Sequence, residues 1–205
     1  MADLFPERIE TDRLVLTPVH EVDPVSLYEI CAYDDGIGEV TEHLTWNPHT
    51  TPKETKTFLD SQQEAWEDGT GATYIIKLGE SEDDTGEIAG GCGLALDWDR
   101  NVGELGMWLR KRYWGRGYSG ERAAALLAVG FEHLDLDTIV VTTMDGNEKS
   151  KRAIEKYVEA HGGQYEGLLR SFVVEDIKTG GAADVHRFSV TQKEFEANRG
   201  GANTY

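Results

Sequence analysis

The chain has 205 residues, 38 of them acidic and 20 basic, for a formal net charge of -18. Such a surface repels polyanions, which argues against bare nucleic acid or an acidic membrane as a partner. Only nine of the basic residues are lysine and the acidic excess runs from end to end, the pattern expected of a salt-accumulating halophile, where dense counterions screen self-repulsion.

The length suits one domain over residues 1–205, with frayed ends at about 1–8 and 198–205. No apolar run near the start resembles a signal peptide and no stretch reaches the length of a membrane span, so a cytoplasmic protein is expected. Residues 13–19, RLVLTPV, read as a short strand with Leu14 and Leu16 on one face. Asp23 as N-cap and Pro24 at the first position open a helix to about Ala32. Residues 33–51 show no clear period and read as a long loop with at most one helical turn. Such loops often carry function, so this one, with Trp46 and His49, is a candidate wall of a substrate site. Thr51, Pro52 and Glu54 make a capping box for a helix to about Asp68, with Phe58, Leu59, Gln62, Ala65 and Trp66 inward. Residues 72–78 and 87–96 then form an antiparallel hairpin about an acidic turn at 79–86.

Residues 102–134 organise the rest. In 102–109 the side chains of Leu105, Met107 and Leu109 alternate with those of Glu104, Gly106 and Trp108, which is a strand. From Ala123 the apolar positions Ala123, Leu126, Leu127, Phe131 and Leu134 take helical spacing. Between them lies Arg112-Tyr-Trp-Gly115-Arg116-Gly117-Tyr118-Ser119. Gly115 and Gly117 permit positive φ and let main-chain N–H groups approach an anion. The helix N-terminus and the charges of Arg112 and Arg116 favour a phosphate there. The same letters, Gly115-x-Gly117-x-x-Gly120 with Asp145 about 25 residues on, also fit a dinucleotide fingerprint. Arg110, Lys111 and Arg112 separate the strand from the first glycine, however, and too few residues follow for a second nucleotide-binding half.

Beyond the turn, residues 138–143, TIVVTT, read as a buried strand. A helix over 148–161 follows, capped by residues 145–150 and ended by Gly162 and Gly163. Strands over 167–174 and 185–191 close the fold about an acidic glycine-rich turn at 179–183. The six histidines and the isolated Cys31 and Cys92 lack metal-ligand spacing, so no metal is expected.

The order Arg112-x-x-Gly115-x-Gly117 between strand and helix resembles the acetyl-CoA signature of the GNAT superfamily of N-acetyltransferases. ETDRLVLTP at the start, Trp46-Asn-Pro48-His49 and Asn147-x-x-Ser150 resemble its Rim-type branch, the ribosomal-protein N-terminal acetyltransferases. The resemblance implies an α+β, α/β/α layered fold, with a mixed, mostly antiparallel sheet of about seven strands and about four helices. It implies acetyl-CoA as co-substrate, held by Met107, Trp108, Leu109, Arg112, Gly115, Arg116, Gly117, Tyr118, Ser119, Asn147 and Ser150. Met107 or Trp108 supplies the main-chain donor to the thioester oxygen. Asn147 bonds the pantetheine amides or caps its helix, and Ser150 contacts the sulfur. The tyrosine that many members use to protonate the thiolate falls at Ile154 here, and Tyr157 lies about 60° around the helix from it. Two departures stand out: that missing tyrosine, and about one extra helical turn before Gln164.

Transfer to an amine also needs a base. Glu104, on the Trp108 face of the strand, and His49, whose imidazole titrates near neutrality, are the candidates, with water a third. The expected activity is direct acetyl transfer in a ternary complex to a protein N-terminus or small amine, with a homodimer allowed. A CoA-binding module without catalysis is the alternative.

Overall fold

A computed structural model describes residues 4–173 and 178–202. In chain order the elements are β1 (Ile9–Glu10), β2 (Leu14–Pro18), α1 (Pro24–Tyr33), α2 (Ile37–Thr41), α3 (Pro52–Glu67), β3 (Gly71–Leu78), β4 (Ile88–Asp97), β5 (Val102–Leu109), α4 (Tyr118–Ala128), β6 (Thr138–Met144), α5 (Glu148–Ala160), β7 (Gln164–Val173), β8 (Ala183–Thr191) and α6 (Gln192–Ala202). The sheet order is β1-β2-β3-β4-β5-β6-β8-β7. Every neighbouring pair is antiparallel except β5 with β6. The eight strands include the two-residue β1, and the helices include α2 and α6, which the sequence pattern does not separate out.

Both faces of the sheet are covered. Helices α1 and α3 pack with Leu27, Cys31 and Leu59 over Val19 and Ile75 on one face. Helices α4, α5 and α6 pack on the other, where Leu126, Ile154 and Phe195 meet Leu105, Ile139 and Phe188. In β3, Tyr74 and Ile76 belong to the second face and Ile75 to the first. Side chains alternate along a strand, so a one-residue slip would exchange these sets and is resisted by both cores.

The helix starts follow their local codes. The Asp23 carboxylate accepts from Ser26 N–H at 2.8 Å, and Thr51 Oγ1 accepts from Glu54 N–H at 3.3 Å. The return arm of that box differs from expectation: the Glu54 carboxylate accepts from the N–H of Thr50, at 2.8 Å. Residue 50 precedes the N-cap and also lends its hydroxyl to the same carboxylate.

The ends differ too. Phe5 is 1% exposed and lies edge-on to Trp66 with ring centroids 5.1 Å apart, so this side chain is packed within a stretch where the sequence suggests fraying. At the other end α6 runs through Ala202, while 203–205 lie outside the described residues. Its start is a capping box: Glu194 accepts from Thr191 N–H at 2.8 Å, and Glu194 N–H donates to Thr191 Oγ1 at 3.3 Å. Thr191-x-x-Glu194 is therefore a signal readable in the sequence. Within the described helices none is long and apolar enough to cross a membrane.

Candidate active site

The central strands part company midway. β5 pairs with β6 only from Val102↔Thr138 to Leu105↔Val141. Beyond that, β5 stays on β4 as far as Leu109↔Gly90, and β6 stays on β8 as far as Met144↔Val185. A wedge opens between residues 106–109 and the end of β6. Arg110 N–H donates to Ala89 O at 2.9 Å, which fixes the alternation: Trp108 N–H points to β4, while Met107 and Leu109 N–H face the wedge. The Leu109 carbonyl, on that same side, accepts from Trp114 Nε1 at 2.8 Å. Met107 thus has its main-chain donor turned into the gap.

One end of the wedge leads to the glycine turn. Gly115 and Gly117 have φ of 77° and 85°, values that side-chain-bearing residues adopt only with strain. Gly117 is the N-cap of α4 and has no side chain to cap it, so the first N–H groups of that helix remain available to an anion. A groove of ≈ 410 Å³ runs from this turn past Leu109, with Gly115, Gly117 and Ser119 on one side and Lys156 and Tyr157 of α5 on the other.

The turn is held from below by β2. Arg13 donates to Glu121 through its main-chain N–H and its Nε, both at 2.7 Å, and to Arg116 O at 2.9 Å. Burial works to raise the pKa of Glu121, but hydrogen bonds from Thr11 and Arg13 and the guanidinium charge outweigh it and hold the carboxyl below its ordinary value. Tyr118, 1% exposed, donates its hydroxyl to Glu82 of the acidic hairpin turn at 2.7 Å.

The basic run before the glycines is largely spoken for. Arg110 pairs with Asp34 and Lys111 with Glu39, and Arg112 pairs with Glu87 at 2.7 Å. Arg112, expected at the phosphate, is thus engaged with the carboxylate of the residue just before β4. Arg116, lying over the Tyr113 ring at 5.3 Å, and Lys156, which lines the groove, make no ion pair among the described residues. In the sequence Lys156 is no more than the second residue of Glu155-Lys156. Its place opposite the turn follows from the packing of α4 on α5.

At the start of α5, Asn147 Oδ1 accepts from Ser150 N–H at 3.2 Å, the capping role weighed beside a cofactor contact. Ser150 is half-buried in the first turn, and Ile154 is buried.

The other face of β5 carries the candidate bases. Thr142 on β6 donates its hydroxyl to Glu104 Oε1 at 2.7 Å. Trp108 meets Trp46 edge-on at 5.7 Å, and Trp46 meets His49 at 5.5 Å. Trp108 fits because its neighbour on β4 is glycine: a Cβ on Gly91 would stand 2.7 Å from Trp108 Nε1. His49 Nδ1 is 2.7 Å from Thr55 Oγ1. Burial lowers its pKa, with Glu54 opposing. A cleft of ≈ 560 Å³ opens at the end of β6, lined by Glu42, His43, Met144, Asp145 and Asp184. Lys178 lines it too, but its three carboxylates outnumber that cation, so the cleft favours a positive over a negative group.

Diverging parallel strands, a free N–H in the wedge and a glycine turn at a helix N-terminus define an acyl-CoA-dependent acetyltransferase. The acetyltransferase (GNAT) domain model matches residues 13–157, and the chain belongs to that family. In sequence it is similar to a protein named uncharacterized N-acetyltransferase p20 of Bacillus licheniformis, 28% identical over 190 residues, 92% of this chain and 98% of that one. Its fold is similar to that of a GCN5-related N-acetyltransferase from Brucella melitensis, with TM-score 0.76, 20% identity, and 95% and 85% of the two chains covered. It is also similar to the Microcin C7 self immunity acetyltransferase MccE, solved in complex with acetyl-CoA and AMP, with TM-score 0.76, 18% identity, and 93% and 99% covered. RimL, a ribosomal L7/L12 alpha-N-protein acetyltransferase, shares the fold, with TM-score 0.73, 18% identity, and 90% and 94% of the two chains covered.

Proposed function

We propose that the protein transfers the acetyl group of acetyl-CoA directly to a primary amine, a protein N-terminus or a small amine, within a ternary complex. The observation that carries this reading is the groove that joins the glycine turn to Leu109, the last residue of the strand whose Met107 N–H points into the wedge. The diphosphate rests on the N–H groups after Gly117, with Arg116 and Lys156 beside it, and the thioester arm follows β5. The solved MccE complex, which holds acetyl-CoA, supports the choice of donor.

The amine enters from the acidic cleft at the end of β6 and attacks the carbonyl carbon. Met107 N–H takes the oxyanion, a contact of a kind worth about 3 kcal/mol in the transition state. Glu104 removes the proton from nitrogen, directly or through a water, with Thr142 holding its carboxylate in place. The C–S bond breaks and the electron pair leaves on sulfur.

The test is thiol release from acetyl-CoA with a panel of amines and N-terminal peptides in high salt. Acceptor-dependent release is expected. Glu104→Gln should leave CoA binding intact and slow turnover roughly 100-fold. Tight CoA binding with no acceptor-dependent release by any amine overturns the reading, and an undiminished rate in Glu104→Gln overturns the base assignment.

A further inference from the structure

Among the described residues one buried basic side chain has no counter-charge. Arg122, in the second turn of α4, is 1% exposed and makes no ion pair among the described residues. Its Nε lies 3.2 Å from Met107 Sδ, and its guanidinium carbon sits 5.6 Å from the centroid of the Tyr157 ring. Its Nη1 has no hydrogen-bond partner, and its charge opposes the rise that burial forces on the Tyr157 hydroxyl. Burial pushes the Cys92 thiol up to about 12, against a smaller opposite pull from Arg122, and burial raises Tyr157 as well.

A buried cation set against a thioether and an aromatic ring, with no ion pair among the described residues, is a heavy loss for the free protein, since methionine or leucine would fill the same volume without desolvating a charge. Its place suggests what offsets that loss. Met107 turns its N–H to the wedge and its sulfur to Arg122, so the guanidinium lies within one side chain of the point where the thioester is held. Tyr157 lines the groove of the same arm. The family's usual proton donor to sulfur is replaced by the buried Ile154.

We propose, resting on the acetyl-transfer reading above, that Arg122 is a fixed positive charge that stabilises the thiolate leaving from CoA. As the C–N bond forms and the C–S bond breaks, the electron pair settles on sulfur in the field of Arg122. The proton lost by the amine goes to Glu104 or its water, and the thiolate is protonated by solvent after release. Arg122 acts through space in a low-dielectric interior, where a charge several ångströms away changes an acid constant on the order of tenfold.

The test is the ultraviolet thiolate absorbance of CoA bound to the wild-type protein and to Arg122→Met, followed against pH, with steady-state kinetics alongside. Bound CoA should ionise about tenfold more readily than free CoA, and Arg122→Met should remove that difference. The variant should lower kcat about tenfold or more, change the KM for acetyl-CoA less than threefold, and melt no lower than wild type. Identical thiol titrations in the two proteins, or an unchanged kcat, overturn the proposal. Should the methionine variant fold poorly, Arg122→Lys keeps the charge and should keep the shifted titration; a lysine variant that titrates like free CoA overturns it equally. Failure of the wild-type protein to bind CoA in calorimetry is a separate result, which would sink the acetyl-transfer reading itself.

Discussion

Arg13 and Glu121 tie β2 to the first turn of α4 across 108 positions of sequence, with Arg13 Nη2 2.6 Å from the carboxylate. The carboxylate also sits near the positive end of the helix, and the same arginine holds Arg116 O, so this pair sets the pose of the glycine turn.

Glu121→Gln should cost about 1–3 kcal/mol at neutral pH, since it removes a charge that is 15% exposed and leaves Arg13 without its counter-charge. The folded pKa of Glu121 is lowered from 4.5, so its contribution is complete above the ordinary carboxylate value and is lost as pH falls through the lowered one. Melting curves of both proteins should therefore converge as pH falls below the ordinary carboxylate range. A gap in melting temperature that is the same at every pH would contradict this.

Gly117→Val should weaken CoA binding roughly 10- to 100-fold, because φ of 85° is strained for valine and relaxing it turns the N–H groups off the diphosphate. Arg116→Ala and Lys156→Ala should each weaken it about 3- to 10-fold, whereas Arg112→Ala, which removes a partner of Glu87, should change it less than about twofold. Calorimetry with CoA at constant salt ranks the four, and an Arg112 effect larger than that of Arg116 would reverse the assignment.

His49 gives a second pH signature. Burial lowers its pKa below 6.5, so neutral His49 contributes stability above that value and the contribution is lost as pH falls through the lowered folded value. His49→Gln should flatten the decline of melting temperature in this acid range. It should spare turnover at neutral pH if Glu104 is the base; loss of turnover in His49→Gln with Glu104→Gln silent would exchange their roles.

With a net charge of -18, self-repulsion should be relieved by salt. The melting temperature is expected to rise by about 10 °C or more between millimolar and molar KCl. An unchanged value would remove the case for salt adaptation.

The sequence by itself determined the parts written in neighbouring residues. The caps at Asp23 and Thr51, the alternation of Leu105, Met107 and Leu109, and the glycines at 115 and 117 each encode backbone geometry within a few positions. They sufficed for the family and for the candidate site of the diphosphate. The tertiary structure alone decided where β5 and β6 separate, and so that Met107 and not Trp108 faces the wedge, because that depends on which strand each edge keeps. It likewise decided that Arg110, Lys111 and Arg112 are neutralised by Asp34, Glu39 and Glu87, and that Arg122 is buried with no such partner among the described residues. Whether a charge is paired or left bare depends on residues brought close by packing the sheet against its helices, and no local spacing carries that information.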